Sequence, residues 1–291
     1  GADDAANYAW EVVQQKRYLE GIGVPQAEIA CFYARPNPEA FAQETDRWSR
    51  LAPELASCYP ANAALIYEQL ADGGKARSPL YFYVSSHGTA PLSDVVRKVS
   101  DDETKDKLRA WLAAAPSLDQ FLVFLGSDRS GSSSSVTTQF RAIVDGTVAP
   151  SETLLTPRYL RDALDRAAAL GVRRHVVVQA CYSGGFIDGT PVRTGKSDGL
   201  RGVDYHVLTA SRPDRSSFGC GVGPKRTHFG GAYNDALFQS GRRPEDLDFR
   251  ALHREVTRRV DALEQAHFTQ LSPAKRSQVS PSEPQVSVDG R

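Results

Sequence analysis

Apolar residues along the chain fall into short runs separated by longer stretches with helical spacing. The clearest run is Val176-Val177-Val178, whose consecutive β-branched residues predict a parallel strand buried on both faces. Similar runs predict further strands at 29–33, 80–84, 121–125, 140–144 and 205–210. Apolar residues three and four apart predict helices at 7–21, 38–52, 62–70, 102–115, 156–170, 230–240 and 245–267. This alternation predicts an α/β fold with a mostly parallel sheet covered by helices on both faces.

The amino-acid composition argues against two classes of function. Lys plus Arg and Asp plus Glu both number 35 among the 291 residues, so the net charge is zero. This balance gives no electrostatic reason to expect binding to nucleic acid or to an anionic membrane. No apolar run approaches the roughly 18 residues of a membrane span. The chain starts at Gly1 and contains no Met, so we expect its natural start to lie upstream, and the cellular compartment stays open.

The four cysteines show neither a CxxC pair nor a histidine at zinc-site spacing, so we expect no metal site and no cofactor. Cys181 follows the valine strand directly, and Gly184 and Gly185 come soon after it. Open parallel sheets place their ligands at the carboxyl ends of the strands, so this thiol is predicted to be reactive. A buried structural thiol is the alternative interpretation. A disulfide between Cys31 and Cys58 is one pairing that the remaining cysteines allow.

A reactive thiol needs a base, because an unperturbed thiol with a pKa of about 8.5 is only a few per cent thiolate at neutral pH. His87 ends the predicted strand 80–84 and is followed by Gly88, so a parallel arrangement brings it to the same sheet edge as Cys181. The other five histidines begin strands, lie on a late charged helix or lie in a loop (His175, His206, His253, His267 and His228). His87 is therefore the best candidate for the general base.

These residues also carry a resemblance. Ser85-Ser86-His87-Gly88 and Gln179-Ala180-Cys181 resemble the His-Gly and Ala-Cys motifs of caspase-like cysteine peptidases, with the legumain family nearest. Further stretches are similar to that family at 7–8, 23–25, 208–220 and 228–231. The resemblance implies a caspase-like three-layer α/β/α sandwich with a mostly parallel central sheet. It also implies a peptidase domain over 1–270 with an insertion around 89–150, followed by a polar, disordered tail at 271–291.

The resemblance assigns roles to four residues. Cys181 would be the nucleophile, and His87 would act as base and later as acid. The backbone N–H groups of Gly88 and Cys181 would bind the oxyanion, and Asn7 would orient His87 through its carbonyl group. The implied reaction is cleavage of a peptide or protein substrate through an acyl-enzyme.

The same resemblance predicts which residues contact the substrate. Four residues would contact the substrate, namely Trp10, Gln179, Ser211 and Ser216, and Ala9 and Gly231 would complete the pocket. None of the six is charged, and a buried unpaired charge is costly. The residue before the scissile bond is therefore predicted to be neutral or small and polar, with Asn accommodated by Gln179 and Ser216. The other interpretation of Gln179 is a side chain that bonds only to backbone.

Two features depart from the family pattern. The family's sheet begins with a strand before the Asn-Tyr motif, so that strand should precede Gly1 or be replaced by another part of the chain. The stretch 121–131 also has the shape of a strand and loop, but it carries Arg129 where the base should be, and an arginine cannot accept a proton. If that strand lies beside Cys181, the protein is a catalytically inactive module that binds a protein or peptide partner. His87 is preferred because it can perform the chemistry.

Self-processing of a precursor is a further expectation from the resemblance. The serine-rich stretch 127–135 and the basic loop 188–202 are the predicted places for such a cut.

Overall fold

The computed structural model describes residues 6–34, 45–72, 78–132, 134–189, 198–219, 226–243 and 246–290. The strands are β1 Phe32–Tyr33, β2 Tyr59–Pro60, β3 Leu80–Ser85, β4 Gly88–Thr89, β5 Leu122–Phe124, β6 Leu154–Leu155, β7 Arg174–Gln179, β8 Tyr205–Thr209 and β9 Gln285–Val288. The helices are α1 Ala6–Gly21, α2 Thr45–Leu55, α3 Ala63–Asp72, α4 Leu92–Lys98, α5 Asp102–Ala114, α6 Val136–Val144, α7 Pro150–Thr153, α8 Pro157–Ala167, α9 Gly185–Asp188, α10 His228–Ser240, α11 Phe249–Thr269 and α12 Pro273–Arg276. The predicted helix at 38–52 is observed from Thr45, and its first part lies outside the described residues.

The central sheet has the strand order β3-β7-β8-β9. Strands β3, β7 and β8 are parallel, and β9 is antiparallel to β8. Val176 and Val178 of β7 pack in a core that includes Leu160 and Leu164 of α8, whereas Val177 packs in a second core with α10 and α11. Burying each valine contributes about 2 kcal/mol relative to exposure, so the apolar run fixes this strand at the centre. The predicted α/β/α sandwich with a mostly parallel sheet is confirmed.

Two predictions about secondary structure are wrong. Residues 140–144 are not a strand but the end of α6, whose Val136, Phe140 and Ile143 recur at helical spacing. Ser135 caps this helix by accepting a hydrogen bond from the Thr138 N–H at 3.2 Å. Five residues are too few to show the helical period, and the helix begins at Val136, directly after the serine-rich stretch.

The tail 271–291 is also not disordered where the structure describes it. β9 extends the sheet by pairing with β8, with Val207 opposite Ser287. Ser282 donates to the buried carboxylate of Glu264 from both its N–H and its hydroxyl. The polar composition gave no sign of this, because the stability of the segment comes from hydrogen-bonding groups on the edge of β8.

The other strands lie outside the central sheet. β4, β5 and β6 form a three-stranded antiparallel sheet, and β1 and β2 form a parallel pair. Cys31 and Cys58, a pairing that the sequence allows, form a disulfide that joins the residues just before β1 and β2. An apolar cavity of about 250 Å³ is lined by residues of β1 and of β3, which is the outer strand of the central sheet within the described residues. The domain limits at 1–270 and the insertion around 89–150 stay predictions.

None of the helices in the described ranges is long and apolar enough to cross a membrane. The same ranges hold no group of three or more side chains suited to a metal ion.

Candidate active site

The parallel pairing of β3 with β7 brings His87 and Cys181 to one edge of the sheet. Ser85 lies opposite Gln179, and the Ser86 N–H donates to the Gln179 carbonyl at 3.0 Å. His87 and Cys181 each lie two residues beyond this pair. Both side chains are therefore carried by neighbouring strands at their carboxyl ends.

Gly88 packs directly against the backbone that carries the thiol. A Cβ atom at this position would overlap the Cys181 carbonyl oxygen and lie 2.9 Å from the Ala180 Cβ. The Phe124 N–H donates to the His87 carbonyl, so in the antiparallel pairing with β5 the Gly88 N–H faces away from β5. Glycine at position 88 thus allows its backbone to lie close to that of Cys181. Its N–H is directed away from the sheet formed by β4, β5 and β6.

The Cys181 sulfur is held by the backbone of Ser217. The Ser217 N–H donates to Sγ at 3.3 Å, and the thiol can donate to the Ser217 carbonyl at 3.5 Å. The next residue, Tyr182, has φ of +60°, a strained value for a bulky side chain, and its N–H donates to the Arg215 carbonyl at 2.8 Å. This sharp turn leaves the thiol partly exposed.

Ser211 does not face a substrate, so its predicted contact is wrong. Its side chain is fully buried and donates to the Ala180 carbonyl at 3.3 Å. The Ser183 N–H donates to its hydroxyl at 3.3 Å, and the Ser183 hydroxyl accepts from the Ala210 N–H at 3.0 Å. Buried hydroxyl groups need such partners, so the two serines fix the turn that carries Cys181.

The Tyr8 side chain contacts the His87 ring. The Tyr8 hydroxyl lies 3.2 Å from Nδ1 of His87, and Tyr8 is buried. The Asn7 side chain instead donates to the Gly219 carbonyl at 2.6 Å and accepts from the Tyr8 N–H at 3.1 Å. The Asn7 side chain thus ties α1 to the loop around Gly219, and the role of its carbonyl group in orienting His87 stays a prediction.

Gln179 is fully buried, and its side-chain oxygen accepts from the Ser85 hydroxyl at 3.1 Å. It does not face an open pocket, nor does it bond only to backbone, so neither interpretation from the sequence describes it.

The sequence analysis missed Glu11, which lies fully buried below the same strand ends. Its carboxylate accepts from the Tyr83 hydroxyl at 2.9 Å, from the Thr227 N–H at 3.1 Å and from the hydroxyls of Thr227 and Ser85. Burial raises the pKa of Glu11, and these donors oppose that shift. Polar side chains four residues apart on the buried face of α1 could have revealed it (Asn7, Glu11 and Gln15).

The predicted pocket wall carries a charge. Trp10 is half-buried, and the guanidinium carbon of Arg226 lies 5.9 Å from the centroid of its ring. A Cβ at Gly231 would lie 2.7 Å from the Arg226 Cδ, so the arginine stem covers that glycine. Ser216 is exposed beside Ser217. A charged side chain therefore lies beside two of the residues predicted to line the pocket, and the preference for a neutral residue stays a prediction.

Arg129 does not lie beside Cys181. The strand that precedes it, β5, belongs to the separate antiparallel sheet. Its guanidinium is exposed and forms a two-pronged ion pair with Glu68, with an Nη2–Oε1 distance of 2.5 Å. Of the two candidate strands, β3 is therefore the neighbour of the cysteine strand.

Comparison with known proteins gives one match to a family. Residues 144–281, just under half of the chain, match the model of the Peptidase C13 family. No curated protein is a significant match to the chain. Among solved structures, caspase-1 from Spodoptera frugiperda aligns at 12% identity over 74% of this chain and 87% of that chain, with a TM-score of 0.33.

The matched segment contains β7, Cys181 and the serines that hold its turn. It supports a cysteine-peptidase activity. Over this segment the chain is similar to the caspase-like cysteine peptidases of the legumain family.

Proposed function

We propose that the protein is a cysteine endopeptidase that works through Cys181 and His87. The observation that supports this most strongly is the parallel register of Ser85 with Gln179, which carries both side chains to one edge of the sheet. The close packing of Gly88 on the Cys181 carbonyl supports it independently, because it holds the two strand ends together.

In this mechanism the Cys181 sulfur attacks the substrate carbonyl while its proton passes to His87. The N–H groups of Gly88 and Cys181 stabilise the oxyanion that forms. The protonated imidazole then gives its proton to the leaving amine as the carbon–nitrogen bond breaks. Water, deprotonated by the neutral imidazole, hydrolyses the thioester and restores the thiol.

Tyr8 is suited to both protonation states of the base. The Tyr8 hydroxyl oxygen can accept from Nδ1–H both in the neutral ring, whose Nε2 then carries the lone pair that takes the proton, and in the protonated ring. The contact with Tyr8 can therefore hold the ring while Nε2 exchanges the proton with the thiol. Tyr8 is a positioning residue in this account, since it touches the base and not the substrate.

The test is cleavage of a fluorogenic peptide library by the protein and by its Cys181→Ala and His87→Ala variants. We expect cleavage by the unchanged protein, and a loss of at least about 100-fold in rate for each variant. The Arg258→Gln variant alters an exposed helix position and serves as a matched control. Undiminished activity in Cys181→Ala would refute the proposal, and absence of cleavage throughout would favour the inactive binding module.

Self-processing at 127–135 or 188–202 is part of this proposal, although residues 190–197 and 133 lie outside the described residues. Intact-mass measurement of active protein tests it. Fragment masses that correspond to a single cut within 127–135 or 188–202 support processing. The mass of one uncut chain contradicts it.

A further inference from the structure

We infer that Glu283 is a positioning residue for the Cys181 thiol. Its carboxylate bridges the guanidinium groups of Arg212 and Arg215, and both arginines belong to the loop 211–217 that holds the sulfur. The inference rests on the proposed peptidase function, in which this thiol is the nucleophile. It adds the segment just before β9 to the parts of the chain on which the reaction depends.

The first support is the contact of the loop 211–217 with the thiol and with the turn that follows it. The Ser217 N–H donates to Sγ of Cys181 at 3.3 Å, and a donor at the sulfur favours the thiolate over the thiol. The Arg215 carbonyl accepts from the Tyr182 N–H at 2.8 Å, which holds the strained residue next to the cysteine. A shift of the loop would therefore change the surroundings of the sulfur.

The second support is that Glu283 ties this loop to the segment before β9. Its Oε1 accepts from Nη1 of Arg215, and its Oε2 accepts from Nη1 of Arg212 at 3.3 Å. Nη1 of Arg215 also donates to the Pro281 carbonyl at 3.0 Å. The backbone N–H of Arg212 donates to the Ser282 carbonyl at 2.9 Å. One carboxylate and two backbone carbonyls of this segment thus fix both arginines of the loop.

The third support is that the position of Glu283 is set by contacts outside the loop. The preceding Ser282 N–H donates to the buried carboxylate of Glu264, on α11, at 3.0 Å. β9 begins two residues after Glu283 and pairs with β8, with Thr209 opposite Gln285. Glu283 itself has φ of +51°, a conformation that a residue other than glycine keeps only where its surroundings hold it. The segment is therefore a fixed anchor for the loop.

Asp214 is a second acid at these arginines, but it acts within the loop. Its carboxylate accepts from Nε of Arg212 at 3.1 Å and lies 3.9 Å from Nε of Arg215. Since Asp214 belongs to the same loop, its contacts do not connect the loop to the segment before β9. The Arg215 side chain is only 21% exposed, and a network of charges contributes more than an isolated surface pair. Glu283 is therefore the acid that joins the two segments.

The experiment measures the rate at which iodoacetamide alkylates Cys181 between pH 5.5 and 9.5, in a Cys220→Ser background. Glu283→Gln keeps the size of the side chain and removes its charge. We expect it to slow alkylation at pH 6.5 by about threefold to fivefold, because less thiolate is present. The pH profile should move towards the pKa of an unperturbed thiol, about 8.5. Glu255→Gln is the matched control, since Glu255 also bridges two arginines, on α11, and it should not change the rate.

A second variant tests whether Glu283 acts through Arg215. Arg215→Gln should slow alkylation about as much as Glu283→Gln, and the double variant should be no slower than either, because both changes break the same connection. In peptide cleavage, Glu283→Gln should lower kcat by the same factor and leave KM unchanged, since Glu283 acts on the thiol and not on the substrate.

Alkylation separates failure of this inference from failure of the peptidase proposal, because it reports on the thiol without turnover. A shifted pH profile in Glu283→Gln, absent from Glu255→Gln, supports the inference even if no peptide is cleaved. An unchanged profile overturns it even if cleavage is confirmed. A Glu283→Gln protein that loses only stability, measured by urea denaturation, contradicts it in the same way, and so do additive losses in the double variant.

Discussion

The two sides of the candidate site are built in different ways. The Cys181 side is held by buried hydrogen bonds from backbone groups and from Ser183 and Ser211. The opposite wall is held by an exposed ion pair and by the contact between Arg226 and Trp10. Buried networks are costly to disturb, whereas exposed ion pairs contribute little to stability. The first side is therefore suited to fixing a reaction geometry, and the second to being altered without loss of the fold.

The largest effect is expected on the side that holds the thiol. Gly88→Ala should lower kcat/KM by about 100-fold or more, because the added Cβ overlaps the Cys181 carbonyl and moves the proposed oxyanion donor. Gly21→Ala is the matched control, since nothing lies within 4 Å of a Cβ there. Peptide cleavage measures both variants, and a Gly88→Ala enzyme of normal activity would show that the close approach has no role.

Ser211→Ala should come next. It leaves the Ser183 N–H without its buried acceptor, which costs about 1–3 kcal/mol in the free energy of unfolding. Urea denaturation measures this cost. The solvent-exposed Ser216→Ala variant is the control for stability and should change it by less than about 0.5 kcal/mol. If the two variants have equal stability, the buried serine does not support the turn.

A smaller effect is expected from removing the Tyr8 hydroxyl, which contacts the His87 ring. Tyr8→Phe keeps the ring and removes the contact with Nδ1 of His87, so kcat should fall by about tenfold and the acidic limb of the pH–rate profile should shift. Asn7→Asp or Asn7→Ala should instead act through stability, because the Asn7 side chain bonds to the Gly219 carbonyl. An unchanged pH profile in Tyr8→Phe would contradict a positioning role.

Acidification should weaken the packing at the start of α10, where His228 lies. His228 lies 5.8 Å from the His267 ring centroid, and burial followed by repulsion from His267 lowers the pKa of His228. Its stabilising neutral state is complete above the unfolded pKa of about 6.5 and is lost as the pH falls through that value. Urea denaturation measures the free energy of unfolding at pH 7.5 and at pH 5.5. We expect the difference between the two values to be smaller in His228→Asn than in the unchanged protein. His175, whose pKa burial lowers to about 4, acts in both proteins and cancels in the comparison.

The smallest effect is expected on the wall that carries Arg226 and Trp10. Asp235→Asn breaks an exposed ion pair and should change the free energy of unfolding by less than about 1 kcal/mol. A loss of several kcal/mol would show that this wall is as firmly built as the Cys181 side, and that the contrast between the two is wrong.

The sequence predicted what depends on neighbouring residues. The valine run fixed the position of β7, and glycines beside a strand-end Cys and His indicated where the two would meet. It failed where segments distant in the chain come together. Asn7 meets a carbonyl 212 positions away, and Glu11 meets Thr227 216 positions away. The periodicity of hydrophobic residues carries no information on such pairs. For the same reason the sequence did not reveal the contacts of Arg226 or the pairing of β9 with β8.

The central claim is that the imidazole of His87 activates the Cys181 thiol, and alkylation kinetics test it most directly. Cys31 and Cys58 are bonded to each other, so a Cys220→Ser background leaves Cys181 as the thiol to be labelled. The rate with iodoacetamide would be measured from pH 5.5 to 9.5, with and without His87→Ala. We predict rapid labelling at pH 6.5 that slows at least about tenfold without the imidazole. Identical profiles in both proteins, each rising only near the pKa of an unperturbed thiol, about 8.5, would contradict the account.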